Sequence, residues 1–110
     1  MAYDEKLVER IRKCIGKNRH VTEKHMFGGL SFLLNGKMFC GIIKNDLVVR
    51  VGPGHYEEAL KRPHARAMDF TGKPIKGFVY VSPKGCNTEK ALRQWIGLGF
   101  EYATSLTKKK

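Results

Sequence analysis

Asn35-Gly36 falls between two apolar runs, Gly29 to Leu34 and Lys37 to Ile43, and no other feature limits so narrowly what this chain can fold into. Asn-Gly supplies the two positive φ angles of a type I′ turn at low steric cost, so the two runs predict a tight β-hairpin. Lys44-Asn45-Asp46 is a second polar break, rich in turn formers, and leads into a third run, Leu47 to Val51. Met26 to Gly52 therefore predicts an antiparallel three-stranded meander with Phe32, Leu34, Phe39, Ile42, Val49 and Val51 as its core. Period-two alternation places Leu47, Val49 and Val51 on the helix-covered side and turns Arg50 to the opposite face.

The flanks supply the helices. From Tyr3 to Ile15, Tyr3, Leu7, Ile11 and Cys14 share one helical face, widened by Val8 and Ile15, and Gly16 is placed to end the helix in the left-handed conformation. Val21 to Met26 leads into the meander as a short extended segment. After Gly52-Pro53-Gly54, Tyr56 to Leu60 reads as a short helix stopped by Pro63. His64 to Phe70 and Gly77 to Ser82 form a second hairpin, the latter strand alternating Phe78 and Tyr80 against Val79 and Val81. Asn87 or Thr88 caps a last helix in which Leu92, Trp95, Ile96, Gly99, Ala103 and Leu106 keep helical spacing. Gly97 and Gly99 each cost that helix roughly 1 kcal/mol relative to Ala, which points to close packing on the sheet. The order is α-β-β-β-α-β-β-α: an α+β domain with an antiparallel sheet of about five strands and helices mainly on one face.

At 110 residues the chain is expected to be one domain, residues 1–107, with a basic tail Lys108-Lys109-Lys110. No apolar run approaches the ~20 residues of a membrane span, and the charged N-terminus is unlike a signal peptide. Cys14, Cys40 and Cys86 are odd in number and in no CxxC pattern, which predicts free thiols in a reducing cytoplasm and no zinc site. The net charge of +11 is unevenly spread. Residues 27–60 carry three Lys or Arg against three acids, whereas residues 61–86 carry six against Asp69 alone. Lys61, Arg62, Arg66, Lys73, Lys76 and Lys84 thus bracket the second hairpin and form the candidate surface for nucleic acid or an acidic partner.

Several motifs together resemble a known family. Met1-Ala2-Tyr3-Asp4, Met26-Phe27-Gly28-Gly29-Leu30 with Phe32-Leu33 and Asn35-Gly36, and Leu47 with Val49-Arg50-Val51-Gly52 occur in order. Arg62-Pro63-His64-Ala65-Arg66, Met68-Asp69-Phe70-Thr71-Gly72 and Gly77-Phe78-Val79-Tyr80-Val81 follow. In this order they resemble the TfoX N-terminal domain family over nearly the whole chain. The resemblance implies a secretion-chaperone-like α+β fold standing alone, without the C-terminal domain of full-length TfoX/Sxy proteins. Those proteins regulate natural competence with the cyclic-AMP receptor protein at promoters. It further implies a non-enzymatic regulatory or adaptor module that binds a protein partner through a sheet face or edge, in a fold that commonly forms dimers. It brings no catalytic residues and no cofactor.

The remaining candidates are weighed on chemistry. Met26-Phe27-Gly28-Gly29 lacks the length and the Lys-Ser or Lys-Thr of a phosphate loop, and Gly52-Pro53-Gly54 has Glu57 where a dinucleotide fingerprint needs glycine. Arg50 is either an anion or partner contact or one half of a cross-strand pair with Asp69. Cys40 and His25 are the one thiolate-base pairing to consider, but Cys40 lies in the most apolar strand, where a thiol is inert. His20, His25, His55 and His64 have no metal-ligand spacing. Two functions lead, a protein-binding regulatory module and direct nucleic-acid binding around the second hairpin, with an enzyme a distant third.

Overall fold

A computed structural model describes residues 5–16, 20–26, 29–68 and 77–108. Its elements are α1 (Glu5–Ile15), β1 (Val21–Met26), β2 (Gly29–Leu34), β3 (Lys37–Ile43) and β4 (Asp46–Arg50). Then come α2 (Tyr56–Leu60), β5 (Ala65–Ala67), β6 (Phe78–Val81), a 3-10 turn (Pro83–Cys86) and α3 (Glu89–Lys108). The strands make one antiparallel sheet in the order β1-β2-β3-β4-β6-β5. The described sheet has six strands where the sequence predicts about five, and the addition is β1. Its sequence, VTEKHM, has little apolar alternation; the backbone ladder with β2, from Val21 opposite Leu34 to Met26 opposite Gly29, makes it a strand. Glu23, Lys24 and His25 suit it to the outer edge, where charge discourages pairing with a further chain.

The turns follow the sequence. Asn35 and Gly36 both have positive φ, 51° and 84°, as a type I′ hairpin requires. Ile43 pairs with Asp46, so the second turn contains only Lys44 and Asn45, with Lys44 left-handed at φ 57°. Gly16 ends α1 at φ 72°, its N–H donating to the Arg12 carbonyl at 2.9 Å. Thr88, rather than Asn87, caps α3: its Oγ1 accepts the Ala91 N–H at 3.1 Å.

The register between β2 and β3 pairs Phe32 with Cys40 and Leu33 with Met38, leaving Phe39 as an extra residue. This bulge sends both Phe39 and Cys40 to the helix-covered face, whereas simple alternation would separate them. On that face Leu7, Val8 and Ile11 of α1 and Leu92, Trp95, Ile96 and Ala103 of α3 close over Leu30, Phe32, Phe39, Ile42, Leu47, Val49, Val79 and Val81. The Phe100 ring meets Phe39 edge to face, with centroids 5.4 Å apart. A Cβ at Gly99 would run into the Phe39 carbonyl oxygen, so glycine is what lets α3 lie directly on the bulge. The opposite face holds a smaller buried cluster, Met38, Val48, Met68 and Tyr80, with Leu33, Ile43 and Phe78 partly buried beside it. Among the described residues, no helix is long and apolar enough to cross a membrane.

Candidate anion-binding groove

The loop after α2 and the 3-10 turn before α3 meet at one corner of the fold. The Ser82 N–H donates to the His64 carbonyl at 3.0 Å, and the Gly85 N–H donates to the Ser82 carbonyl at 2.8 Å. A Cβ at Gly85 would come within 2.8 Å of the His64 Cβ and 2.7 Å of Val81 Cγ1, so the two loops touch only because residue 85 has no side chain. His64 itself adopts φ 67°, a left-handed turn that is uncommon for a residue other than glycine.

Where these loops meet the N-terminal turn of α3 there is an open groove of about 400 Å³. Trp95, Ala91 and Pro63 supply its apolar lining, and Arg62, His64 and Lys84 its basic side chains. The Arg62 guanidinium lies 5.2 Å from the centroid of the Trp95 ring, which is itself buried in the core. Stacking on that ring spends the cation's face but not the N–H donors around its edge. No Asp or Glu is among the described residues lining the groove. The start of α3 adds its own field: the first N–H groups of a helix lack intrahelical partners and carry partial positive charge. Chemically, the corner is arranged to hold an anionic group beside an apolar one.

The other basic residues singled out from the sequence do not gather here. Lys61 is exposed and lies just beyond α2, outside the groove lining. Arg66 is spent within the fold: its Nη2 donates to Asp46 Oδ2 at 2.7 Å and its guanidinium lies 4.7 Å from the Tyr80 ring centroid. Arg50 is half-buried between two rings, 5.4 Å from the Phe78 centroid and 5.3 Å from that of Tyr102. Lys73, Lys76 and Asp69 lie outside the described residues, as do Phe27 and Gly28. Of the seven candidates, then, Arg62 and Lys84 share the groove. His64 and Trp95 are its members that sequence reasoning missed as site residues. The Arg62-Pro63-His64 order beside a turn was the available signal for His64; nothing in the sequence brings Trp95 beneath Arg62.

Cys40 is fully buried, and removal from water pushes its thiol well above the usual range. His25 pairs with Leu30, which pairs with Ile42, so it lies two strands from Cys40 and in a different row. The sheet does not bring the two together. Cys14 is half-buried, and its thiol is likewise raised by desolvation, opposed by the nearby Arg93 charge. Among the described residues, no cluster of three His, Cys, Asp or Glu side chains could hold a metal ion.

The model of the TfoX N-terminal domain matches residues 14–103, from the last turn of α1 through the whole sheet and most of α3. The chain belongs to the TfoX N-terminal domain family. The sequence motifs and the α+β sheet agree with the family match, which supports a domain of the competence or regulatory type. Arg62, His64, Lys84 and Trp95 all fall within the part matched to the TfoX N-terminal domain. No curated protein and no solved structure matches the chain.

Proposed function

We propose that this TfoX N-terminal domain is a non-enzymatic regulatory module that works by docking an acidic segment of a protein partner in the Arg62–Lys84 groove. The observation that carries this reading is the composition of the groove: two cations and a histidine beside an apolar floor of Trp95, Ala91 and Pro63, with no carboxylate among its described lining. Phosphate backbones need cations in a row and no apolar floor, whereas a peptide that carries a carboxylate next to an aliphatic or aromatic side chain uses both. The buried residues at the centre of the second sheet face, Val48 and Met38 among them, support a groove rather than that face as the docking surface. Three cysteines, none of them in a disulfide, support action in a reducing compartment, the cytoplasm.

Trp95 is the chain's single tryptophan, so its emission reports on the groove directly. The experiment titrates the protein with an acidic peptide bearing one aromatic residue, and separately with duplex DNA, at several salt concentrations. A saturable Trp95 change with peptide, lost in Arg62→Ala and Lys84→Ala, is the expected result. Tighter binding to DNA, with a log-log salt slope near about −3.6 for four phosphate contacts at roughly −0.9 each, would replace this reading with the nucleic-acid one. Absence of binding to either at low salt would remove the groove as a polyanion site.

A further inference from the structure

Gly97 has no packing partner among the described residues. It is exposed in the middle of α3, and a Cβ built on it would meet nothing within 4 Å. Glycine is, after proline, the least favourable residue in a helix interior, and here no described contact within the chain compensates for it. One turn before it stands Arg93 and one turn after it Glu101, both exposed. Arg93 reaches Glu89 at 3.3 Å, with 62% and 72% of the two side chains exposed, a contact of the kind that contributes little and is readily exchanged. Glu101 makes no ion pair among the described residues. Alongside runs a groove of about 380 Å³ between the end of α1 and α3, where Ile15, Ile96 and Phe100 supply apolar surface and Cys14 one edge.

We propose that α3 packs antiparallel against α3 of a second copy of this chain, the two helices crossing at Gly97. A two-fold axis at that point sets each residue before Gly97 opposite the residue equally far after it on the other copy. Arg93, four residues before, then faces Glu101, four residues after, and the symmetry repeats the ion pair. Parallel pairing would instead set Arg93 against Arg93 and Glu101 against Glu101, so the charge pattern selects one orientation. The glycine lets the two backbones approach closely, and the second helix covers the apolar groove beside it. One helix crossing plus the end of α1 covers less than the ~800 Å² per partner of a typical stable interface, so the dimer is of the weak, concentration-dependent kind.

Sedimentation velocity from low micromolar to near-millimolar protein, at physiological ionic strength, tests this. The unaltered chain is expected to pass from monomer to dimer across that range. Arg93→Glu and Glu101→Arg should each weaken the dimer about tenfold or more, since each turns two attractions into two repulsions. Mixing the two variants in equal amounts should restore pairing as a heterodimer, because each copy then offers the charge that the other lacks. Gly97→Gln should also give a monomer with an unchanged circular dichroism spectrum, the space above residue 97 being open. A chain that stays monomeric throughout, or a dimer that neither charge reversal alters, would overturn the proposal.

Discussion

Gly97 and Gly99 are two residues apart on α3 and lie on opposite faces of it. At Gly99 a side chain would strike the Phe39 carbonyl at the β-bulge; at Gly97 it would meet nothing. The same residue type, with the same intrinsic cost to a helix, is thus offset by packing at one position and by nothing among the described residues at the other. The difference teaches that a glycine in a helix marks a close approach, and that only the sheet's register tells which approach lies inside the molecule.

Substituting Gly99 is expected to have the largest effect on stability. Gly99→Ala gains roughly 1 kcal/mol of helix propensity, but its Cβ is directed at a backbone oxygen and comes within 3.3 Å of Val49 Cγ1. Overpacking of this kind typically costs about 1–3 kcal/mol, and more where the obstacle is backbone fixed by a strand ladder. The net expectation is a loss of about 2 kcal/mol, seen as a lower urea midpoint with an unchanged slope. A midpoint at or above that of the unaltered chain would show that α3 can rise from the bulge, and the contrast with Gly97 would fail.

Gly97→Ala should do the reverse. At concentrations too low for self-association it is expected to raise stability by about 0.4–1 kcal/mol, because alanine restricts the unfolded chain and strains nothing in the folded one. If it destabilises the dilute protein, the open space above Gly97 is occupied by something within the chain.

The arginines repeat the contrast at the surface. Arg66→Ala removes the bond to Asp46 and the stacking on Tyr80 together, an expected loss of about 1 kcal/mol. Arg62→Ala removes only the stacking on Trp95, so its cost to stability should be smaller, about 0.5 kcal/mol, while its cost to ligand binding should be larger. Urea midpoints set beside Trp95 titrations separate the two. Equal stability losses would mean that Arg62, like Arg66, is part of the fold's own fabric.

Much of this architecture is legible in the sequence because local rules suffice for it. Asn35-Gly36 fixes a turn, Gly16 and Thr88 fix helix ends, and the alternation around Leu47, Val49 and Val51 fixes which face is covered. What is not legible depends on pairing between distant segments. β1 is a strand through its ladder with β2 and not through its side chains, and β4 takes β6 rather than β5 as neighbour. The bulge that turns both Phe39 and Cys40 inward leaves no mark in the alternation, and it decides where α3 can lie. The groove suffers most from this. Sequence proximity grouped Arg66 with Arg62, whereas the sheet commits Arg66 to Asp46, and the 3-10 turn brings Lys84 to Arg62 and Trp95.

The smallest expected effect tests the surface end of the same contrast. Arg12 of α1 grips Glu23 of β1 through two hydrogen bonds, Nε to Oε2 at 2.8 Å and Nη2 to Oε1 at 2.7 Å. The guanidinium holds the Glu23 carboxyl below its ordinary value near 4.5, and desolvation opposes this only in part. A carboxyl whose folded value is lowered contributes stability that is full above the unfolded value and disappears as pH falls through the folded one. With 46% of the Arg12 side chain and 35% of the Glu23 side chain exposed, solvent screening keeps the contribution under about 1 kcal/mol. Urea midpoints of the unaltered chain and of Glu23→Gln should therefore differ by a small constant amount above about pH 5. They should converge as the pH falls below the ordinary glutamate range. Added salt should narrow the gap at neutral pH, since an exposed pair is screened and a backbone contact such as Gly99 on Phe39 is not. A gap that persists in acid would mean that Glu23 holds α1 to the sheet by shape and not by charge, and the edge of the sheet would then obey the same packing rule as its centre.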